Sequence, residues 1–161
     1  MPRFTLTVSA ELENAARVEA AAPESHAWRV RLACGSCREP AAAFSVVSAT
    51  DAVDLPNGRG TANLVQKCKL CGESWTLDVS PVKGAALTAD APAAVLVELE
   101  VRGAAPVEWA AGDGWTVRGV SDEAVFTGID LTEDLCEYDE GAEVSVEVRK
   151  VAGAFALSAK K

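Results

Sequence analysis

Four of the five cysteines in this sequence fall into two pairs whose spacing suits metal chemistry. Cys34 and Cys37 form one C-x2-C motif, thirty residues follow, and Cys68 and Cys71 form the second. The short loop of such a motif directs backbone N–H groups at the first thiolate. Two facing motifs supply the tetrahedral four-sulfur shell that zinc prefers, with Zn–S distances of about 2.3 Å. The sequence therefore predicts one zinc ion per chain, held by Cys34, Cys37, Cys68 and Cys71.

The residues beside the two motifs support this interpretation. Gly72 follows Cys71 where a zinc-binding turn often adopts a left-handed conformation, which glycine adopts at little cost. The first motif has Arg38 at the equivalent position. Four thiolates on a divalent ion leave a net negative charge, which Lys67, Lys69 and Arg38 could partly neutralise. The alternative is that these cations simply face solvent.

Other chemistries of the four cysteines remain open at this point. Disulfides are disfavoured in a cytosolic setting, and a bridge within one C-x2-C motif closes too small a loop to stabilise much. A thioredoxin-like redox pair begins a helix within a βαβ pattern, which this sequence lacks. An iron-sulfur cluster would use the same four sulfurs, and copper(I) is also thiophilic.

Few other residues suggest catalysis. Cys136 stands alone among carboxylates, which disfavour a thiolate nucleophile, and is interpreted as structural or incidental. His26, the single histidine, follows Ser25 in a predicted loop and cannot complete a Ser-His-Asp triad with any recognisable partner. We therefore expect that the protein is not an enzyme.

Two acidic segments could line a polar site if the fold brought them together. Asp51 and Asp54 precede Arg59, whose flanking glycines allow close approach to a partner or to the acidic segment Tyr138-Asp139-Glu140. Paired carboxylates in a cleft can perform acid and base catalysis. The simpler interpretation is a set of solvated turns, with Arg59 as a structural brace.

The elements that must position these residues are predominantly strands. Apolar and polar residues alternate along Phe4 to Val8 and Val95 to Val101, and turn signals such as Pro56-Asn57-Gly58 separate about ten such segments. The pattern predicts an all-β fold, a sandwich or a barrel, with the four tryptophans in its core. Helix is expected only as a turn or so within residues 11–22, which are rich in alanine. Further predicted strands include residues 28–32, 62–67, 75–79, 115–120, 144–151 and 155–158.

The chain also matches itself in a collinear order, although no long identity exists. The interpretation is a single domain of 161 residues built from two related β halves, a zinc-binding half at 1–80 and a metal-free half at 94–161. The metal-free half would carry degenerate motif positions near residues 121–124 and 148–151. Chance similarity between amphipathic strands is the alternative. The matched segments are 12–19 with 101–108, 28–31 with 115–118, and 75–77 with 155–157.

Length and composition limit the class of protein. The chain has 161 residues, 49% of them hydrophobic, which suits one folded domain with a core that needs no disulfides. A formal charge of −9 disfavours nucleic acid as a partner. The N-terminal segment lacks the apolar region of a signal peptide, and no segment is apolar enough to span a membrane. We expect a cytoplasmic protein that can enter the nucleus.

The segment Leu55 to Cys71 resembles the eukaryotic CXXC-motif-containing zinc-binding proteins, a family of unknown function. The resemblance extends over nearly the whole chain and includes Leu32 to Cys37, Arg102-Gly103 and Tyr138-Asp139-Glu140. It implies one zinc bound by the four cysteines and a mainly β protein of two related pseudo-barrel halves, with the zinc in the first. The sequence departs from the family pattern at Arg38, where a glycine is usual, and at Leu135-Cys136, where a tryptophan is common.

Two functions follow as hypotheses. The first is a non-catalytic, monomeric zinc-binding protein whose closed four-cysteine site is structural and whose surface binds another protein, with a metal-handling protein as one candidate. The second is a thiol redox or metal-transfer protein with exchangeable C-x2-C pairs.

Overall fold

The computed structural model describes residues 2–158, and it confirms the predicted all-β class. Within these residues the secondary structure consists of fifteen strands in curled sheets and no helix. The strands are β1 (Arg3–Glu13), β2 (Ala15–Ala20), β3 (Trp28–Cys34), β4 (Ser45–Val47), β5 (Val53–Asp54), β6 (Thr61–Ala62), β7 (Leu64–Lys67), β8 (Ser74–Pro81), β9 (Leu87–Thr88), β10 (Ala93–Arg102), β11 (Ala104–Ala110), β12 (Trp115–Gly119), β13 (Val125–Ile129), β14 (Leu135–Asp139) and β15 (Val144–Leu157).

Three sheets carry the architecture. The largest has six strands in the order β14-β15-β1-β10-β8-β7, with every neighbouring pair antiparallel. A three-stranded sheet, β11-β3-β4, holds the first cysteine motif at the end of β3, and a four-stranded sheet has the order β13-β12-β2-β9. A short hairpin, β5-β6, completes the fold. The second cysteine motif lies in the turn between β7 and β8, so two different sheets position the four cysteines.

The predicted equivalent segments occupy mirrored places in these sheets. Strands β1 and β10 lie side by side at the centre of the large sheet, β15 and β8 flank them, and β14 and β7 form its edges. Asn14 separates β1 from β2 with a φ of 56°, and Gly103, its counterpart in the alignment, separates β10 from β11 with a φ of 87°. A duplication would produce this order, and the duplication itself stays a prediction.

Each predicted half lends strands to the other. Strand β1 pairs with β10 and β15, β2 pairs with β12, and β11 pairs with β3. The boundary between the two predicted halves along the chain, residues 81–93, is therefore not a boundary between sheets.

Tryptophans anchor the core as predicted. Trp28 and Trp115, which begin β3 and β12, are each 1% exposed, and Trp75 is 3% exposed. Burying 150–250 Å² of one such side chain stabilises the fold by roughly 4–6 kcal/mol. The Trp115 indole N–H donates to the Ala111 carbonyl at 3.0 Å. Trp109 is only partly buried and packs edge-on against Trp115.

The predicted helical turn within residues 11–22 is wrong. These residues continue β1 and form β2, in which Ala15, Val18 and Ala20 are buried. Strand β2 pairs with β12 on one edge and β9 on the other, and this pairing outweighs the helix propensity of its alanines. The strands predicted at 144–151 and 155–158 are one strand, β15. No helix in residues 2–158 has the length and apolar character that a membrane span requires.

Candidate metal centre

Two hairpin turns of the same design hold the cysteines. We call the turn Cys34 to Glu39 the first knuckle and the turn Cys68 to Glu73 the second knuckle. The Cys34 N–H donates to the Glu39 carbonyl at 3.1 Å, and the Cys68 N–H donates to the Glu73 carbonyl at 2.7 Å. The first cysteine of each motif therefore lies at the base of its turn, Cys34 at the end of β3 and Cys68 directly after β7.

The left-handed residue expected in each knuckle is present. Gly72 has a φ of 83° and donates its N–H to the Cys68 carbonyl at 2.9 Å. Arg38, which takes the equivalent place, has a φ of 67° and donates to the Cys34 carbonyl at 2.9 Å. The departure from glycine therefore preserves the turn, at a conformational cost of about 1–2 kcal/mol.

The two knuckles bring the four sulfurs together. The Cys34 and Cys71 Sγ atoms are 3.6 Å apart, the Cys37 and Cys68 Sγ atoms are 3.7 Å apart, and all four lie within 4.8 Å of one another. A tetrahedral shell with Zn–S distances of about 2.3 Å has sulfur-sulfur edges of about 3.8 Å. The donor set therefore fits a single zinc ion.

The same distances bear on the alternatives. Bonded sulfurs lie about 2.0 Å apart, so these four cysteines are free thiols and not disulfides. A cluster places several irons and bridging sulfides among its cysteine ligands. It needs a wider separation than the compact arrangement seen here.

Burial and electrostatics differ between the two cysteines of each motif. Cys34 and Cys68 are 2% and 6% exposed, whereas Cys37 and Cys71 are exposed. The pKa of Cys68 falls to about 7, mainly because the Cys71 backbone N–H donates to its thiolate. The Glu73 N–H lowers the pKa of Cys71, but partial desolvation and hydrogen bonds with the neighbouring cysteines together outweigh this effect and raise the pKa to about 12. Zinc must therefore displace protons to bind at neutral pH.

The bend between β10 and β11 braces both knuckles, a role that the sequence did not reveal. The Gly35 N–H donates to the Gly103 carbonyl at 2.8 Å, and a Cβ on Gly35 would lie 2.9 Å from that oxygen. A Cβ on Gly103 would lie 2.8 Å from the Ser74 carbonyl oxygen, just after the second knuckle. Glycine at both positions was the available signal, but the approach itself depends on the tertiary fold.

The predicted neutralising cations do not touch the sulfurs. Lys67, Lys69 and Arg38 are exposed, and in the described part of the chain none of their side chains hydrogen-bonds to a cysteine sulfur. They can act on the site only through solvent, where their effect is screened.

The remaining cysteine and the histidine lie apart from this centre. Cys136 is exposed on β14 and does not belong to the four-sulfur group. His26 is buried, with its ring 4.4 Å from that of Trp28 and 4.8 Å from that of Trp115. It packs in the core and offers the metal site no ligand.

The two acidic segments have separate structural roles. Asp51 accepts a hydrogen bond from the Ser48 N–H at 3.0 Å within its own turn. Arg59 is exposed and has no carboxylate partner within residues 2–158, so the predicted brace is absent. Asp139 is fully buried and accepts hydrogen bonds from both the N–H and the hydroxyl of Ser121. These hydrogen bonds, chiefly the one from the Ser121 hydroxyl, lower the pKa of Asp139.

Under the predicted duplication, the turns at residues 119–124 and 139–144 would correspond to the two knuckles. The Gly119 N–H donates to the Ala124 carbonyl at 2.8 Å, with the same spacing as Cys34 and Glu39. The position predicted near 121–124 is therefore a turn, whereas that predicted at 148–151 is wrong because it lies inside β15. The Ser121–Asp139 hydrogen bonds join these turns as a metal would join the knuckles.

Comparisons with known proteins agree with this geometry. The family model for the eukaryotic CXXC motif containing zinc binding proteins matches residues 5–156. The CXXC motif containing zinc binding protein of Mus musculus is 34% identical over 158 residues, covering 96% of this chain and 98% of the mouse protein. The Homo sapiens protein of the same name is 32% identical with the same coverage.

Solved structures show the same fold. The crystal structure of C1orf123 superposes with a TM-score of 0.85 at 31% identity, covering 97% of this chain and 99% of that one. A hypothetical protein from Plasmodium falciparum superposes with a TM-score of 0.79 at 19% identity, over 98% of this chain and all of its own. With the family match over nearly its whole length, this chain belongs to the eukaryotic CXXC motif containing zinc binding protein family.

Proposed function

We propose that Cys34, Cys37, Cys68 and Cys71 bind one zinc ion as a closed structural site, and that the protein acts without catalysis by binding another protein. The observation that carries this proposal is the compact four-sulfur shell. Among residues 2–158, no histidine or carboxylate joins the group. Sulfur alone therefore fills all four positions of a tetrahedral zinc ion.

A filled shell argues against chemistry at the metal. Catalytic zinc sites keep three protein ligands and leave the fourth position for water or substrate. Four thiolates leave no such position and also reduce the Lewis acidity of the ion. The zinc supplies a covalent cross-link between the two knuckles.

The location of the ligands argues for a structural role. Cys34 and Cys68 belong to the same buried cluster as the core residues Leu32 and Trp75. A metal at this point would join the β3 end of one sheet to the β7-β8 hairpin of another. Because the unfolded chain has no such preformed site, zinc binding adds directly to folding stability.

The surface near the knuckles supports a protein partner. Phe44 is 39% exposed and Leu70 is 70% exposed, and both line a cleft that also includes Cys68. Isolated exposed apolar residues are ordinary, but exposed apolar residues that share one cleft are typical of an interaction surface.

Metal transfer or thiol redox chemistry is the second candidate, and one observation favours it. Cys37 and Cys71 are exposed, so an external thiol or metal acceptor could reach one ligand of each motif. Exchange would begin at these two sulfurs and not at the buried pair.

Zinc retention under oxidant separates the two candidates. We expect a mild peroxide treatment to leave the zinc bound, and denaturant to release zinc, detected by a chromogenic chelator, at the same concentration that abolishes the β-type circular dichroism spectrum. Release of zinc while the spectrum is unchanged would instead favour transfer or redox chemistry.

The partner is tested separately by affinity capture. Zinc-loaded protein should retain specific proteins from a cytosolic extract, and the Cys68→Ser variant should lose them. Cys136→Ser is the matched control, since it removes an exposed thiol outside the metal centre.

A further inference from the structure

A cleft of about 450 Å³ opens between residues 39–45, which lead into β4, and residues 66–70, which end β7 and begin the second knuckle. Strand β4 is the last strand of its three-stranded sheet, and β7 is the last strand of the six-stranded sheet. The Ser45 hydroxyl donates to the Gln66 side-chain oxygen at 3.1 Å and links the two strands. Both strands are therefore edge strands, and edge strands have backbone groups free to pair with another chain.

The walls of the cleft are apolar. Pro40, Phe44 and Leu70 line it, and the buried Trp75 also contributes to its lining. Leu70, at 70%, has the largest exposed fraction among the large apolar side chains of the described residues. An apolar side chain with this much exposed surface lowers solubility. Covering that surface with a partner protein is favourable.

The charges at the cleft differ in sign from those of the molecule. The chain carries a formal charge of −9, but Lys67 and Lys69 line the cleft against a single acid, Glu39. Neither lysine forms an ion pair with a carboxylate anywhere in residues 2–158, whereas several arginines do. The cleft thus offers two free cations beside apolar walls, which complements an acidic segment that also carries an apolar side chain.

We propose that this cleft binds an extended acidic segment of a partner protein, with one apolar side chain between Phe44 and Leu70 and carboxylates beside Lys67 and Lys69. The inference rests on the proposed interaction function and names its surface. Lys69 and Leu70 lie between two cysteines of the second knuckle, so the metal centre fixes their positions. Cys68, one of the four cysteines of the metal centre, also lines the cleft, so we expect binding to depend on zinc.

A random peptide library displayed on phage tests the proposal with the zinc-loaded full-length protein as bait. We expect enriched peptides to combine acidic residues with an apolar one. An enriched peptide, synthesised with a fluorophore, should bind about tenfold or more weakly to Lys69→Glu and to Leu70→Ser, as measured by anisotropy. Lys83→Glu, the same charge change at an exposed turn outside the cleft, should leave its affinity unchanged.

The zinc content and the circular dichroism spectrum of each variant show whether its second knuckle is still folded. The proposal is overturned if no acidic peptide is enriched, or if zinc-loaded Lys69→Glu and Leu70→Ser bind the peptide as well as the natural sequence does. A captured protein partner that both variants retain, but that zinc removal releases, would uphold the interaction function and exclude this cleft. Peptide binding here together with oxidant-driven release of zinc from a folded protein would exclude the structural function and uphold the cleft.

Discussion

His26 lies between two tryptophan rings in the core, and its burial determines its protonation. Burial lowers its pKa below the usual 6.5, the nearby Asp113 carboxylate opposes this shift, and Arg29 adds to it. The Nε2 atom is buried and has no hydrogen-bond partner in the described residues. A proton on this ring would therefore be poorly stabilised, and the folded state keeps the neutral form.

Stability should fall as the pH drops below about 6.5, because the unfolded chain then binds a proton that the folded chain excludes. The loss continues down to the lower pKa of the folded state, with a slope of at most about 1.4 kcal/mol per pH unit for this one group. Urea unfolding between neutral pH and pH 5 measures it. Since His26 is the chain's single histidine, His26→Phe should remove this slope.

Acid also protonates cysteine thiolates, so the zinc content must be measured at each pH. A variant with unaltered zinc content and the same pH dependence as the natural sequence would refute the assignment to His26.

The sequence predicted the four cysteines as a group but not the residues that support them. A tetrahedral metal requires four donors, and the C-x2-C spacing is a local property that survives in the sequence. The brace at Gly103 joins residues far apart in the chain, and the burial of His26 depends on two strands that meet in the fold. Neither has a local pattern. Arg59 is the opposite case. Its flanking glycines suggested a contact with the acidic segment, and the described residues form no such contact.

At the scale of elements, the strands were recognisable where apolar residues alternate and less so where alanine dominates. Strand β10 follows the alternation of its sequence, with Leu99 and Val101 buried. Strand β2 does not, because its alanines suit a helix as well as a sheet, and only pairing with β12 and β9 determines the outcome. The bends at Asn14 and Gly103, which separate β1 from β2 and β10 from β11, also escaped the sequence pattern.

Gly103→Ala should damage the metal centre through the β10-β11 bend. The added Cβ would meet the Ser74 carbonyl oxygen, and a φ of 87° is unfavourable for alanine. The control is Gly84→Ala, where φ is 72° and a Cβ would meet nothing within 4 Å. Calorimetry should show a cost of about 1–2 kcal/mol for the control and roughly 1–3 kcal/mol more for Gly103→Ala.

Zinc affinity should fall more for Gly103→Ala than for Gly84→Ala, because of these two glycines only Gly103 contacts the first knuckle. Competition with a chromogenic chelator measures it. Equal effects of the two substitutions on stability and zinc affinity would show that the bend does not brace the knuckles.

At the scale of the whole molecule, the two predicted halves are interlaced. Strands β3 and β8, which adjoin the first and second knuckles, pair with β11 and β10, which follow residue 92 in the chain. The metal-free strands β12 and β15 pair with β2 and β1 from the N-terminal part. Sequence comparison within the chain suggested two similar parts. It contained no information about which strands of one part pair with which strands of the other.

The interlacing predicts that the halves do not fold separately. A fragment of residues 1–89 would lack β10 and β11 and leave the edges of β8 and β3 unpaired. We expect this fragment alone to lack a cooperative thermal transition and to bind zinc weakly, and co-expression with residues 90–161 to restore both. A cooperatively folded fragment 1–89 with its own tight zinc site would contradict this view.

Metal content and fold measured together test the central claim, a single zinc ion that holds the two knuckles in one structure. Protein purified without added metal should contain about one zinc per chain by elemental mass spectrometry. Cys68→Ser should lose the zinc and the cooperative β-type circular dichroism transition, whereas Cys136→Ser should keep both. Iron or copper in place of zinc, or a Cys68→Ser variant that lacks zinc yet remains fully folded, would contradict the account.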